Sequence, residues 1–404
     1  MKDIKKAKIR RMVKRIAAPA ICFSLAVCLL SGCHAGKTDE KAETEEQIQI
    51  LHGETSDEAA PMSSHEAAAE TEPVSANEPA AYTFPESWKQ DGETVSFDCT
   101  VTVYGDVDVQ NFHLPEVREK YIDKDAAYAL YVEGKTVTDT SHSDHATWLD
   151  TSPSSDVYDF EDGSQVSIGS DFGYYSAVSS RYQYDLDDLK DGSQDTFGFA
   201  TGEECVEKTK DALKQIGLSA DEYLFTWISV SGSQYSQYEQ EQLAEELIEA
   251  DDVKGDWSEQ DDTYLVYGYQ VYEGLRVLPW YRSNNMMAAY DRESSFADVF
   301  ALYSADGMLS LYTQNAYDLS PGSESETLLP FDRIAERVVS KYDQLLTGDS
   351  HYTVRRAKLF LRTYRGENQT YLAEPVWYIE ETDDEGTTEI LMFNAVTGDE
   401  VFLL

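Results

Sequence analysis

The chain has 404 residues and carries 76 acidic against 32 basic side chains, a formal net charge of −44. A chain this acidic repels phosphate backbones, so its composition excludes nucleic acid as a partner. Hydrophobic residues make up 41% and aromatic residues 12% of the sequence, which is enough to build a buried core.

Residues 1–33 have the organisation of an export signal. Eight lysines and arginines precede an apolar run from Ile16 to Leu30. A membrane-spanning helix needs about 20 apolar residues, so this shorter run predicts a secretory signal. The alternative is an uncleaved N-terminal anchor, and either one places the rest of the chain outside the cytoplasm.

The signal ends in Leu30-Ser31-Gly32-Cys33, which resembles the lipobox of bacterial lipoproteins. This resemblance implies cleavage between Gly32 and Cys33 and a diacylglycerol thioether on Cys33. Two acyl chains suffice for stable anchoring. We therefore expect a mature protein on the extracytoplasmic face of the cell membrane, with 24 basic and 75 acidic residues and a balance of −51.

Residues 34–81 are rich in Glu, Ala, Ser, Thr and Pro and poor in aromatics. Such a segment cannot bury enough apolar surface to offset the entropy of ordering. Its like charges should extend it. We predict a disordered acidic stalk between the membrane and the folded part.

Residues 82–200 are predicted to form a β-rich unit. The stretch from Thr94 to Val109 alternates, with Val95, Phe97, Cys99, Val101 and Val103 on one face, the pattern of a half-buried strand. The other expected elements are a short helix, Asp123–Val132, and strands at Val166–Ile168 and Tyr174–Tyr184.

Two helix-plus-meander units are predicted to follow, at 201–324 and 325–404. Thr201-Gly202-Glu203-Glu204 fits the capping box of a helix start, and Gly217 fits its C-terminal stop. The other expected elements are a strand Leu224–Val230, a helix Glu239–Ala250, a strand Tyr264–Val277, a hairpin turn at Asp306-Gly307, a helix Leu328–Leu346, and strands Val354–Tyr364, Pro375–Glu381 and Glu389–Asn394. The predicted fold class is therefore α+β, a β-rich N-terminal unit followed by two helix-plus-antiparallel-meander units.

The last unit is expected to be held together by Trp377. Period-two spacing places Trp377 on the same strand face as Pro375 and Ile379. The residues expected to cover this face are the apolar stripe of the preceding helix, Ile334, Val338, Tyr342 and Leu345.

The C-terminal part resembles a known family. Pro375-Val376-Trp377, followed by Asn394-Ala395-Val396-Thr397-Gly398, is similar to the end of PepSY-like domains, and Tyr269–Val277 is similar to one of their strands, with Arg276 where proline is usual. The same stretches resemble extracytoplasmic regulators of the cell-wall histidine kinase and related germination proteins. The resemblance implies a PepSY- or cystatin-like helix-plus-meander unit, often in tandem. This chain differs in its lipid anchor and in the added 82–200 unit.

Two cysteines remain after the signal and the lipidated Cys33, namely Cys99 and Cys205. An even pair outside the cytoplasm permits a disulfide. The alternative is two separate core residues, because free cysteine is often buried.

Three acidic or histidine-containing segments contain residue types that can bind metal ions. His142-Ser143-Asp144-His145 lacks the four ligands of a structural zinc site. Asp159–Gly163 and Asp185–Gly192 fail the ligand spacing of a calcium-binding EF-hand. We interpret all three as polar loops and turns, and expect no metal and no cofactor.

The sequence holds no recognisable catalytic set, such as GxSxG, SxxK or HExxH. Four aromatic residues could stack on sugars if exposed, namely Trp148, Trp257, Trp280 and Tyr281. We favour the alternative, in which they pack in the core or at its rim.

The sequence favours a non-catalytic lipoprotein that binds or regulates an envelope protein or glycan. The alternatives are an envelope glycan hydrolase and a module that captures sugars or peptides. A carboxylate pair in a cleft would favour the hydrolase, and an aromatic platform would favour capture. A free strand edge or apolar patch would favour a protein partner.

Overall fold

The structure is a computed structural model and describes residues 83–143, 154–182, 195–245, 247–248, 253–278, 297–314, 316–344, 350–366 and 370–402. The expected signal, lipobox and stalk lie outside these residues. Within the described ranges, no helix has the length and apolar character needed to cross a membrane.

Strands dominate the described chain. They are β1 (Ser87–Gln90), β2 (Val95–Thr102), β3 (Phe112–Glu119), β4 (Val137–Ser143), β5 (Ser155–Phe160), β6 (Gln165–Ile168), β7 (Phe172–Tyr175), β8 (Tyr223–Val230), β9 (Thr263–Tyr272), β10 (Leu275–Leu278), β11 (Val299–Ser304), β12 (Gly307–Thr313), β13 (Tyr317–Glu326), β14 (Tyr352–Arg365), β15 (Tyr371–Asp383) and β16 (Thr388–Asn394). The α-helices are α1 (Lys124–Tyr131), α2 (Gly202–Gln215), α3 (Gly232–Ala244) and α4 (Phe331–Gln344).

All strands except β3 and β13 belong to one mixed sheet of 14 strands. Its main path runs β1-β2-β14-β10-β9-β11-β12-β7-β6-β5-β4, with β15 and β16 added beside β14 and β8 added beside β9. β3 and β13 pair with each other as a separate antiparallel ribbon. Most pairs are antiparallel, but β14 runs parallel to both β2 and β10.

The predicted fold class, α+β with a β unit followed by two helix-plus-meander units, is therefore wrong. Strands from all three predicted segments share one predominantly β, mixed sheet. The cause is the length of β14. Its first half pairs with β2 and its second half with β10, while its other edge pairs with β15. Hydrophobic periodicity reports which face of a strand is buried, but it carries no information about which strands lie at its edges.

Several local predictions are confirmed. In β2, the buried residues Val95, Phe97, Cys99 and Val101 alternate with more exposed ones, but the strand ends at Thr102 and not at the predicted Val109. The capping box at α2 is present, with Glu204 N donating to Thr201 Oγ1 and Thr201 N donating to Glu204 Oε2. The Asp306-Gly307 turn joins β11 to β12, with Gly307 at a φ of +100°.

The predicted helix Glu239–Ala250 is wrong in its bounds, because α3 spans Gly232–Ala244. Its start is fixed by a capping box in which Ser231 Oγ accepts from Gln234 N and Gln234 Oε1 accepts from Ser231 N. The Gly-Ser sequence after Ser231 has the composition of a loop, which hides this start. The buried Glu239 carboxylate accepts hydrogen bonds from the backbone N–H groups of Lys254 and Gly255, so it holds the chain that follows the helix.

The expected burial of Trp377 against the preceding helix is confirmed. Trp377 is fully buried, and its ring centroid lies 4.8 Å from Phe331 in α4 and 5.4 Å from Phe84. Ile334, Val338 and Tyr342 belong to the same core cluster, and Leu345 lies outside the described residues. The opposite face of the strand, at Val376 and Tyr378, packs in a second, smaller cluster.

Replacing Trp377 by alanine should destabilise the protein by about 3–5 kcal/mol, because it removes a fully buried indole and leaves a cavity. Equilibrium denaturation of the full chain measures this change. Leu372→Ala on the same strand is the matched control, since Leu372 is 43% exposed and should cost far less. An unchanged midpoint for Trp377→Ala would contradict the packing described above.

Candidate functional site

Many of the residues singled out in the sequence lie outside the part of the chain that the structure describes. Gly32 and Cys33 lie outside the described residues, as do His145, Trp148, Trp280, Tyr281 and the segment Asp185–Gly192. In the described part, no group of three or more His, Cys, Asp or Glu side chains is arranged to hold a metal ion.

Cys99 and Cys205 are both free, buried thiols. Cys99 packs in the core beneath α4, whereas Cys205 packs in the core beneath α2. Burial raises the pKa of each thiol to about 11. In the structure the two cysteines are therefore separate core residues and do not form a disulfide. Their raised pKa leaves little thiolate at neutral pH.

The remaining polar candidates take part in local structure. His142 on β4 lies 2.8 Å, Nδ1 to Oδ1, from Asp156 on the neighbouring β5. In the turn between β5 and β6, Asp162 Oδ1 accepts hydrogen bonds from both N and Oγ of Ser164. His142 and Ser143 thus lie in strand β4, which corrects their interpretation as a loop, whereas Asp162 and Gly163 do lie in a turn. Asp144, His145 and the segment Asp185–Gly192 lie outside the described residues.

Trp257 does not offer a free aromatic platform. Its ring stacks on Tyr235 at 4.9 Å between centroids, meets the edge of Tyr182 at 5.7 Å, and has the Lys254 ammonium 4.3 Å from its centre. The open cavity nearby, of about 590 Å³, is lined instead by Arg181, Val253, Lys254, Asp256, Ser258, Gln260 and Asp261.

Sequence reasoning missed a group of basic residues on one face of the sheet. Arg356, Lys358 and Arg362 alternate along β14, and Arg276 on β10 pairs in register with Phe360 between them. Arg276, Lys358 and Arg362 are buried, an uncommon state for cations unless they are paired. The alternating sequence predicted a strand but not that its polar face would be covered.

Partners for two of these cations are aromatic rings and a carboxylate. The Arg276 guanidinium lies 3.6 Å and 3.8 Å from the ring centroids of Tyr104 and Tyr269. Arg362 pairs with Glu374 at 2.9 Å. Such contacts compensate for lost hydration. We therefore interpret these basic residues as part of the folded interior and not as a binding site.

A buried acid lies beneath the end of α4. Glu381 on β15 is 1% exposed, its Oε1 accepts a hydrogen bond from the Tyr342 hydroxyl, and the nearby Lys341 is engaged with Glu400 at 2.5 Å. Burial raises the pKa of Glu381 from 4.5 to about 8, with Lys341 opposing the rise and Glu389 and Glu400 adding to it. Glu381 is therefore protonated at neutral pH.

The feature best suited to recognition is the margin of the sheet at β8. Among the described residues, β8 pairs with β9 alone. Its sequence, Tyr-Leu-Phe-Thr-Trp-Ile-Ser-Val, contains no charged residue and no proline. Long apolar edge strands are ready templates for pairing with another chain, and proteins usually protect them.

The other margins of the sheet show such protection. β1 carries the exposed Lys89, and β4 carries Asp139 and His142. Part of the β16 edge is covered by the chain itself, because Val401 N donates to Met392 O. β8 differs from all three in carrying no charged residue, and its strand pairing in the described part of the chain is with β9; near its end, Asp195 N donates to Ser229 Oγ.

The orientation of β8 follows from its neighbour β9. Asp298, at the start of β11, donates from N to Gly268 O, and its Oδ2 accepts from Gln270 N. The backbones of Gly268 and Gln270 therefore face β11. Because successive residues alternate in direction, those of Tyr267 and Tyr269 face β8.

The register partners of these two tyrosines are Thr226 and Leu224, whose backbone groups are consequently used by β9. The intervening residues, Phe225 and Trp227, direct their N–H and C=O groups away from the sheet. We refer to these backbone groups of Phe225 and Trp227 as the outer edge of β8.

Side chains hold this edge in place from both faces. The Trp227 ring lies so close to Gly202 at the start of α2 that a Cβ at position 202 would come within 2.0 Å of it. The Lys210 ammonium lies 5.7 Å from the centroid of the Phe225 ring. On the other face Ile228 packs in the core, whereas Leu224 is 39% exposed. The edge is thus preformed, with one exposed apolar side chain beside it.

Comparison with known proteins adds a fold but no activity. No protein-family model and no curated protein matches the sequence. The crystal structure of an uncharacterized protein from Eubacterium rectale ATCC 33656 is similar with a TM-score of 0.53 at 15% identity, over 79% of this chain and 94% of that one. The Bacillus megaterium YpeB C-terminal domain aligns over 69% of this chain and 93% of its own, at 9% identity and a TM-score of 0.28, which is too low to indicate a common fold.

The raised pKa of Glu381 predicts a loss of stability with rising pH. Below pH 4.5 this carboxyl is protonated in both states, and between pH 4.5 and about 8 only the folded state keeps the proton, so the free energy of unfolding falls over that range. Glu381→Gln should abolish this fall in the free energy of unfolding, so at pH 9 the variant should be more stable than the parent chain. Denaturant unfolding at pH 5 and pH 9 measures the difference, with the exposed Glu385→Gln as control. A Glu381→Gln difference that is equal at both pH values would refute the assignment.

Proposed function

We propose that this chain is a lipid-anchored, extracytoplasmic binding protein of the cell envelope that docks an extended segment of a protein partner on the outer edge of β8. The observation that carries the binding role is that edge: preformed, uncharged and, in the described chain, paired on one side alone. Strand addition uses such edges, with backbone hydrogen bonds for affinity and neighbouring side chains for specificity.

The proposed location rests on the sequence. The basic N-terminus, the apolar run and Leu30-Ser31-Gly32-Cys33 are the parts of a lipoprotein signal. The acidic segment 34–81 would hold the sheet away from the membrane and leave β8 accessible. The resemblance of the C-terminal motifs to PepSY-like regulators is in keeping with a binding role.

Cys33→Ala should release the protein from the membrane, because it removes the atom that carries the lipid. Fractionation of cells expressing the full chain, followed by a high-salt wash, measures this release. Cys28→Ala is the matched control, since it alters a cysteine of the apolar run and leaves the lipobox intact. Retention of the Cys33→Ala protein in washed membranes would contradict the lipid anchor.

Leu224→Lys should remove the partner, because a charge at an edge strand opposes strand addition. Proximity labelling on intact cells compares the labelled proteins of the parent chain and the variant. Leu372→Lys serves as control, since Leu372 is similarly exposed but lies on β15, which does not pair with β8. Identical labelling of all three chains would count against docking at β8.

A further inference from the structure

We propose that the segment docked on the outer edge of β8 is an extended, positively charged stretch of another protein. This inference rests on the proposed function and adds the chemistry of the partner. It commits to a basic heterologous segment rather than to a second copy of this chain.

The shape of the site requires an extended segment. β8 is eight residues long, about 25 Å at the usual rise of a strand. The outward backbone groups of Phe225 and Trp227 can satisfy those of a chain only if that chain is itself in β conformation. The side chains of an added strand alternate between two sides, one next to α2 and the other next to Leu224.

The charges around β8 favour a basic segment. The exposed Asp221 precedes the strand, and the exposed Glu203 follows Gly202, on which Trp227 packs. Two of the lysines near β8 are already engaged with acids. Lys120 pairs with Glu222 at 2.6 Å and Lys210 pairs with Glu207 at 2.7 Å. An incoming cation therefore meets carboxylates more readily than competing ammonium groups.

The charge of the whole chain acts in the same direction. At a formal charge of −44, the protein attracts cationic partners and repels a second copy of itself. The overall charge thus disfavours a second copy, and the local carboxylates favour a basic partner.

Synthetic peptides provide a direct test with the full chain. Three peptides of equal length alternate threonine with lysine, glutamate or glutamine, and binding is measured by fluorescence anisotropy. The lysine peptide should bind most tightly, and added salt should weaken it. Leu224→Lys should lower its affinity, with like charges alone contributing roughly fivefold, whereas Leu224→Glu should lower it less, because the glutamate attracts the lysine peptide.

Leu372→Lys and Leu372→Glu control for added charge away from the edge, and far-UV circular dichroism of each variant establishes that it is folded. Equal affinity for the three peptides would contradict the proposal of a basic partner. Equal losses of affinity for the lysine peptide with Leu224→Lys and Leu224→Glu would contradict it too. So would self-association of the parent chain that Leu224→Lys abolishes, because it would assign the edge to a second copy. If no peptide binds while labelling on cells still depends on Leu224, the basic segment is refuted and the proposed binding function stands.

Discussion

The sheet depends on the ability of β14 to pair along both of its edges. One edge pairs with β15 over its full length, and the other is shared between β2 and β10. Through β2 it joins the N-terminal strand pair, and through β10 and β9 it joins the strands beneath α2. A strand in this position is buried on both faces, so its residues must satisfy two environments at once.

Those two environments explain the composition of β14. Ala357, Leu359 and Leu361 face the apolar core beneath α4. Arg356, Lys358 and Arg362 face the other way. There Glu380 and Glu374 of β15 pair with the two arginines, and the Tyr364 ring of β14 itself lies 5.2 Å from Arg362, which compensates for lost hydration. Charges that would be expected on an exposed strand therefore lie within the fold.

Sequence reasoning reached as far as local chemistry allows. The caps of α2, the Asp-Gly turn and the burial of Trp377 were predictable because each depends on residues near in sequence or on a simple two-residue period. Strand partners are not encoded in that way. The parallel pairing of β2 with β14 has no counterpart in the sequence of either strand. The start of α3 was missed because Gly232 and Ser233 suit a loop as well as a first helical turn.

The candidate site was predictable only in part. The strand at Leu224–Val230 follows from its alternating residues. Its position at the margin of the sheet depends on the pairing of β9, which has β11 on one edge and β8 on the other. The raised pKa of Glu381 likewise depends on α4 covering it, and an isolated Glu-Glu pair in a chain with 76 acids gives no such signal.

The parallel pairing of β2 with β14 also has a kinetic consequence. Val95 lies opposite Tyr352, so the contact closes a loop of 257 residues. Contacts this distant form slowly because the entropy of loop closure is lost before pairing compensates for it. During synthesis β2 emerges long before β14. Until β14 has been made, the edge of β2 that pairs with it stays unpaired. The protein should therefore fold late and as a whole, and a chain shortened before β14 would leave β2 open to aggregation.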